Sequence, residues 1–252
     1  MDYRISVLIR TYNEQKHLGE VLRSLSRQTY HNYETIILDS GSTDDTLKIA
    51  QANNVRVEHI AKSEFSYSFA SNKLVEFASG EVVCFLSGHS VPVRDTYLAS
   101  INQIFQDPEI GGCYGKVIAL PDGSLTEKVF YGLSYLKSRL RNPGSSITRE
   151  KEIHPGIFSC CNASARRELL LKHPFATQLG DGGEDIEVAY RIIQDGYYIA
   201  SVPELLVMHS HGKGFASFLK QHRQWQQMWC NALAYIQKKD PANQGRLPLD
   251  TQ

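Results

Sequence analysis

Four short clusters of polar side chains stand where apolar runs stop or start. Thr11-Tyr12-Asn13-Glu14 follows the run Ile5 to Ile9, and Asp39-Ser40-Gly41-Ser42-Thr43-Asp44 follows Glu34 to Leu38. Ser87-Gly88-His89-Ser90-Val91-Pro92 follows Glu81 to Leu86, and Gly182-Gly183-Glu184-Asp185 precedes a helical pattern. Each has a plain structural reading beside a chemical one. Thr11 to Glu14 can cap the next helix. The segment Asp39 to Asp44 has turn chemistry throughout. Yet Asp39 ends a buried run, where a carboxylate can accept a hydrogen bond from a base N–H or a ribose hydroxyl. Glu184 and Asp185 suit the positive end of a helix dipole, and either could serve as a general base. Further on, His209 and His211 alternate after a strand-like run, so both project to one face. Such a pair is a frequent metal partner; the alternative is a surface loop.

The elements between these clusters must bring them together. Leu18, Val21, Leu22 and Leu25 recur at helical spacing. Ser42 reads as a helix N-cap, with Asp45 completing a capping box. Val55 to Ile60 reads as a strand, Ser68 to Ala78 as a helix and Glu81 to Leu86 as a strand. This alternation implies right-handed crossovers and a mainly parallel sheet, which binds ligands beyond the carboxyl ends of its strands. The second half is less regular. Gly111 to Leu120 and Tyr197 to Val202 read as strands, Ile186 to Gln194 as a helix capped by Gly196, and Phe215 to about Tyr235 as a long helix. Asn142 to Ser146 reads as a mobile loop, and 239–252 as a flexible tail. One α/β domain is expected over 1–238, more regular over about 1–114 than over about 115–238.

Composition narrows the class. The chain has 252 residues, 42% of them hydrophobic, enough for one large core. Lysine plus arginine and aspartate plus glutamate number 27 each. That neutral balance gives no long-range pull toward nucleic acid or an anionic membrane, and leaves room only for local basic patches. The five cysteines contain no Cys-x-x-Cys pair, which excludes zinc-ribbon and thioredoxin motifs. Buried free thiols in a reducing compartment account for them. Ile5 to Ile9 is too brief for a signal-peptide core, and no apolar run reaches the length of a membrane span. A cytoplasmic protein is expected, with any membrane contact peripheral and at the inner face.

Taken in order, the clusters resemble the family-2 glycosyltransferases with the GT-A fold, over about residues 4 to 232. Val7 to Glu14 is similar to the family's opening strand and nucleotide loop. Leu38 to Asp44 is similar to its second nucleotide-binding turn. Ala78-Ser-Gly-Glu81 with Cys84-Phe-Leu86 is similar to the approach to its metal motif, and Gly183-Glu-Asp185 with Arg191 to its catalytic-base motif. The resemblance implies a single GT-A domain with a mainly parallel mixed sheet flanked by helices, with a nucleotide-binding half at about 1–114 and an acceptor-side half at about 115–238. It implies inverting transfer of one sugar from a nucleotide-diphosphate donor to a hydroxyl of a glycan or lipid-linked acceptor, in cell-surface polysaccharide or glycolipid synthesis. Thr11, Tyr12, Glu14, Asp39, Ser40 and Ser87 become nucleotide contacts. Asp185 becomes the base, with Glu184 orienting the site, while Arg191, two turns along, is structural. Acceptor specificity falls between about Gly115 and Asn162.

Two departures stand out. The family often has a second aspartate where this chain has Ser40, so thymidine is as plausible as uridine. The Asp-x-Asp that usually holds a divalent metal is absent, and His89 stands there instead. Imidazole is an acceptable ligand for Mn²⁺, whereas Mg²⁺ prefers carboxylate oxygens. His89, His209 and His211 therefore define an expected metal site of altered composition, for Mn²⁺ or Mg²⁺. His89 can equally be a turn residue or a phosphate donor. The last helix carries Gln221-His-Arg-Gln-Trp225, an imperfect match to the Gln-x-x-Arg-Trp of processive synthases, so single addition is expected. Phe218, Trp225 and Trp229 read as core packing. A nucleotide-sugar-binding module that has lost catalysis is the rival reading, opposed by the retained acids and histidines. A nucleotidyltransferase would show glycine between Arg10 and Glu14, and there is none.

Overall fold

The structure is a computed structural model that describes residues 1–141, 147–180 and 182–240. The expected loop at Asn142 to Ser146 and the tail from 241 onward lie outside the described residues. The chain order is β1 (Ile5–Thr11), α1 (Leu18–Ser26), β2 (Tyr33–Asp39), α2 (Thr46–Ala52), β3 (Arg56–His59), α3 (Tyr67–Phe77) and β4 (Val82–Ser87). There follow β5 (Val91–Pro92), α4 (Tyr97–Ile104), β6 (Ile110–Ile118), α5 (Leu125–Arg141), β7 (Thr148–Glu150), β8 (Asn162–Arg166) and α6 (Arg167–Lys172). The chain closes with α7 (Glu184–Gln194), β9 (Tyr198–Met208) and α8 (Phe215–Lys239).

All strands join one mixed sheet, in the order β3-β2-β1-β4-β8-β6-β9-β5, with β7 paired to β9. β3, β2, β1 and β4 run parallel. β8 then inserts antiparallel between β4 and β6, and β6 runs parallel to β9. That reversal matters for the site. Because β8 runs backward, its first residue, Asn162, pairs with Leu86 near the end of β4. The carboxyl ends of β1, β2, β4, β6 and β9 therefore share one edge with the start of β8.

Both faces of the sheet are covered. Leu8, Val83 and Phe85 face a cluster that includes Leu74, Ile186 and Trp229. Their strand neighbours Val7, Ile9, Cys84 and Leu86 face Leu18, Leu22, Leu98 and Phe105. Strands buried on both sides read as continuous apolar runs, which is why β1, β2 and β4 were legible. Trp229 and Phe218 are buried, as core packing requires, whereas Trp225 is only half-buried.

Three local expectations change. α2 starts at Thr46, not at Ser42. The Ser42 hydroxyl is drawn to the Asp39 carboxylate, and Asp44 instead accepts from the Thr46 N–H at 3.0 Å. β9 continues past Val202 through Pro203 to Met208, and α8 reaches Lys239 at the start of the expected tail. α4, α5 and β8 were not anticipated.

Candidate active site

The first two polar clusters hold each other. Asp39 is fully buried. Its Oδ1 accepts the Thr11 hydroxyl at 2.9 Å, and its Oδ2 accepts the N–H groups of Gly41 and Ser42 at 3.0 and 2.8 Å. The Ser42 hydroxyl adds a further donor. Ser40, also buried, donates to the Thr11 carbonyl at 3.1 Å. Asn13 sits in the left-handed region at φ 55°, where asparagine is tolerated, and accepts from the Thr43 N–H at 2.9 Å. Thr11, Asp39 and Ser40 thus brace the two loops. Tyr12 differs: it is 40% exposed. Lys62 Nζ lies 2.6 Å from its hydroxyl and 4.4 Å from its ring centroid. Lys62 carries no motif signal, and sequence reading missed it.

The three histidines converge although they lie 120 residues apart. β5 pairs antiparallel with the end of β9, Val91 opposite Met208, so the turn before β5 meets the turn after β9. The rings of His89 and His209 stack with centroids 4.5 Å apart, and His209 Nε2 lies 3.3 Å from His211 Nε2. One nitrogen from each of the three can be chosen so that all lie within 4.8 Å of one another. Their other contacts aim them. Glu14 Oε1 is 2.8 Å from His89 Nδ1, and the Ser90 hydroxyl is 3.0 Å from His209 Nδ1. Glu14, expected at the nucleotide, also sets its carboxylate against His89. Gly88 makes room for it, since a Cβ there would stand 2.6 Å from Glu14 Cγ. Burial holds the imidazoles of His209 and His211 below the ordinary range, His211 at about 4. Both are therefore neutral at physiological pH, with lone pairs available.

The acidic pair starts α7. Gly183 adopts φ 97°, and a Cβ there would stand 2.7 Å from the Met228 carbonyl, so glycine lets α8 lie against the start of α7. Glu184 is buried, and Asp185 is partly exposed. Burial raises the Glu184 carboxyl, and the charge of Arg10 opposes it. Burial, then the neighbouring Glu184, pushes Asp185 up to about 7. The Ile186 N–H, which donates to Asp185 at 2.9 Å, and Arg10 act the other way. Arg10 is the second residue that sequence reading missed as a site member. It pairs in register with Ser87, two residues before His89, and its Nη1 donates to the Ser71 hydroxyl at 3.1 Å. The charge of Arg10 thus acts on the acidic pair from the strand beside β4. Arg191 is structural as read, donating to Glu187 and to the Pro174 carbonyl at 2.6 Å each.

The histidine cluster has the features of a metal site. His89 Nε2 is buried with no hydrogen-bond partner among the described residues. An orphaned buried nitrogen calls for an explanation. Two imidazoles are already oriented through their Nδ1 atoms by Glu14 and Ser90, the arrangement that metal-ligating histidines usually show. The residues fit a divalent transition metal.

A family model for glycosyl transferase family 2 matches residues 6–173. The O-antigen chain rhamnosyltransferase RfbN of Salmonella typhimurium is 26% identical over 213 residues, covering 82% of this chain and 67% of that protein. A dolichyl N-acetyl-alpha-D-glucosaminyl phosphate 3-beta-D-2,3-diacetamido-2,3-dideoxy-beta-D-glucuronosyltransferase of Methanococcus voltae is 25% identical over 241 residues, covering 86% and 70%. The mannosyltransferase PcManGT of Pyrobaculum calidifontis, solved with GDP-Man and Mn²⁺, superposes with a TM-score of 0.68 at 22% identity. That likeness, which spans 98% of this chain and 66% of the other, speaks to the fold. The chain therefore spans about two thirds of the length of its relatives. With the sheet order, the strand-end clusters and a model match over two thirds of its length, the chain belongs to glycosyl transferase family 2 and is a glycosyltransferase of GT-A fold.

Proposed function

We propose that this glycosyltransferase is inverting and moves one sugar from a nucleotide-diphosphate donor to a hydroxyl of a glycan or lipid-linked acceptor. The observation that carries the reading is Asp185, a carboxylate reachable from solvent and held near neutral affinity for a proton. Asp185 takes the proton of the acceptor hydroxyl as that oxygen bonds to the anomeric carbon. The bond from that carbon to the donor phosphate breaks, and the nucleoside diphosphate leaves. Glu184, buried alongside, keeps the Asp185 proton affinity high, and Arg10 limits the rise. Tyr12 offers an exposed ring on which a nucleobase can stack, and Lys62 a cation for ribose or phosphate. Thr11, Asp39 and Ser40 hold that loop in shape.

His89, His209 and His211 would hold a divalent metal, with Glu14 and Ser90 fixing the rings. Bound there, such an ion would offset the charge of the diphosphate. Neutral imidazoles favour Mn²⁺ over Mg²⁺. Mn²⁺ with a nucleotide sugar in the Pyrobaculum calidifontis enzyme, and a lipid-linked sugar in the name of the Methanococcus voltae relative, support this reading. Stereochemistry tests it. Proton NMR of the product should show the anomeric configuration opposite to that of the donor, and retention would refute the assignment of Asp185 as base.

A further inference from the structure

α5 is amphipathic in the wrong sense for a helix packed on a soluble core. Leu125, Val129, Leu133, Leu136 and Leu140 recur at steps of four, four, three and four residues, so they form one stripe. That stripe faces outward: Leu125, Leu133 and Leu140 are 78%, 63% and 71% exposed. The opposite face carries Glu127 and Tyr131, both buried. Glu127 anchors the helix, accepting the His211 N–H at 2.8 Å and the Ser124 N–H at 3.0 Å. The start of α8 extends the patch. The Ser124 hydroxyl donates to the Lys213 carbonyl at 2.7 Å, Phe130 packs on Phe218 at 5.0 Å, and Phe215 and Leu219 are exposed beside them. A contiguous exposed apolar surface of this kind marks an interaction site.

Charge says what covers it. Exposed Lys128, Lys137 and Arg139 lie on α5, and Lys220 and Arg223 on the first turns of α8. α8 has no acidic residue, and the only one on α5 is the buried Glu127. Arg139 reaches Glu204 at 3.1 Å, off these helices. Two copies of this face would bring like charges together, whereas an anionic lipid surface supplies both the apolar layer and the opposite charge. No described helix is long and apolar enough to cross a membrane.

We propose that the outer face of α5, with the first turns of α8, is a docking surface for an anionic membrane. There it holds the site against the bilayer that carries a lipid-linked acceptor. The inference deepens the acceptor half of the proposed function and rests on it for its purpose. Through Glu127 and His211, α5 places the membrane about one helix diameter, roughly 10 Å, from the histidine cluster.

Flotation of the full chain with vesicles tests it, using phosphatidylcholine alone and phosphatidylcholine mixed with phosphatidylglycerol. Binding is expected to the anionic vesicles and to weaken with salt. The double variant Leu133→Glu/Leu136→Glu should abolish it. Lys137→Glu/Lys220→Glu should weaken it by about tenfold or more and provides a second arm should the first variant fold poorly. Transfer to a water-soluble acceptor analogue should be unchanged in both variants. No binding by the wild type, equal binding to neutral vesicles, or binding indifferent to both variants would overturn the proposal. Self-association that Leu133→Glu/Leu136→Glu dissolves, without vesicle binding, would assign the face to a second copy instead. Vesicle binding by a chain that transfers no sugar would leave the surface standing and remove the catalytic reading.

Discussion

Two aspartates stand in the polar clusters at this site, and they are built in opposite ways. Asp39 is fully buried, and donors from Thr11, Gly41 and Ser42 fill its two oxygens. Asp185 is partly exposed, accepts from its own helix and has the carboxyl of Glu184 as a neighbour. The first carboxylate stabilises a loop; the second is destabilised in its charged form. The difference teaches where to look first for chemistry: at the groups whose polar demands the fold leaves unmet. His89 Nε2, buried without a partner, belongs with Asp185.

Substitution at each aspartate should separate the two roles. Asp185→Asn should lower turnover by about 10²-fold or more, the general-base range, with nucleotide affinity unchanged by calorimetry. The same change should stabilise the fold. A carboxyl whose folded pKa is raised contributes stability at low pH that is lost as pH rises through the folded value, here from about 4 to about 7. The amide carries no such loss, so urea unfolding at pH 8 should show a gain on the order of 1 kcal/mol. Unchanged turnover in Asp185→Asn would break the comparison at its root.

Acid pH sharpens it. Turnover needs the ionised base, so it should fall as pH drops through about 7. Histidines of ordinary pKa would add a loss near 6.5, but His211 stays neutral to about 4 and His209 is depressed as well. The acid limb centred near 7 should therefore be missing from the residual activity of Asp185→Asn. A persisting limb would return it to the histidines.

Glu14→Gln should lower Mn²⁺ affinity by about 10-fold to 100-fold, the usual cost of an outer-shell partner, read by titration calorimetry. Chelation should remove donor binding along with the metal, because binding of the two is linked. Mn²⁺ affinity untouched by Glu14→Gln would reduce the 2.8 Å contact with His89 to an ordinary ion pair.

The smallest catalytic effect is expected at Asp39. Asp39→Ala should cost about 1.5–3 kcal/mol of folding stability, the range for hydrogen bonds to a charged group. Turnover at saturating donor should stay within a few-fold. A large loss of turnover in a stable variant would show that Asp39 meets the substrate after all.

Much of this was legible in the residues themselves. Apolar runs ending in polar clusters located β1, β2 and β4, because strands buried on both faces need no partner to be recognised. The Gly-Gly-Glu-Asp turn and the alternating His209 and His211 marked their chemistry through local spacing alone. What the sequence could not supply was every relation set by strand order. Glu14 meets His89 because β1 lies beside β4, and His89 meets His209 because β5 pairs with β9. The charge of Arg10 acts on Glu184 and Asp185 across more than 170 residues of chain. The leucines of α5 show the same boundary. Their spacing makes one apolar stripe, but periodicity states only that a helix has two faces. Which face meets the core depends on Glu127 and its bond to the backbone of His211, a contact that exists only once the whole sheet is assembled.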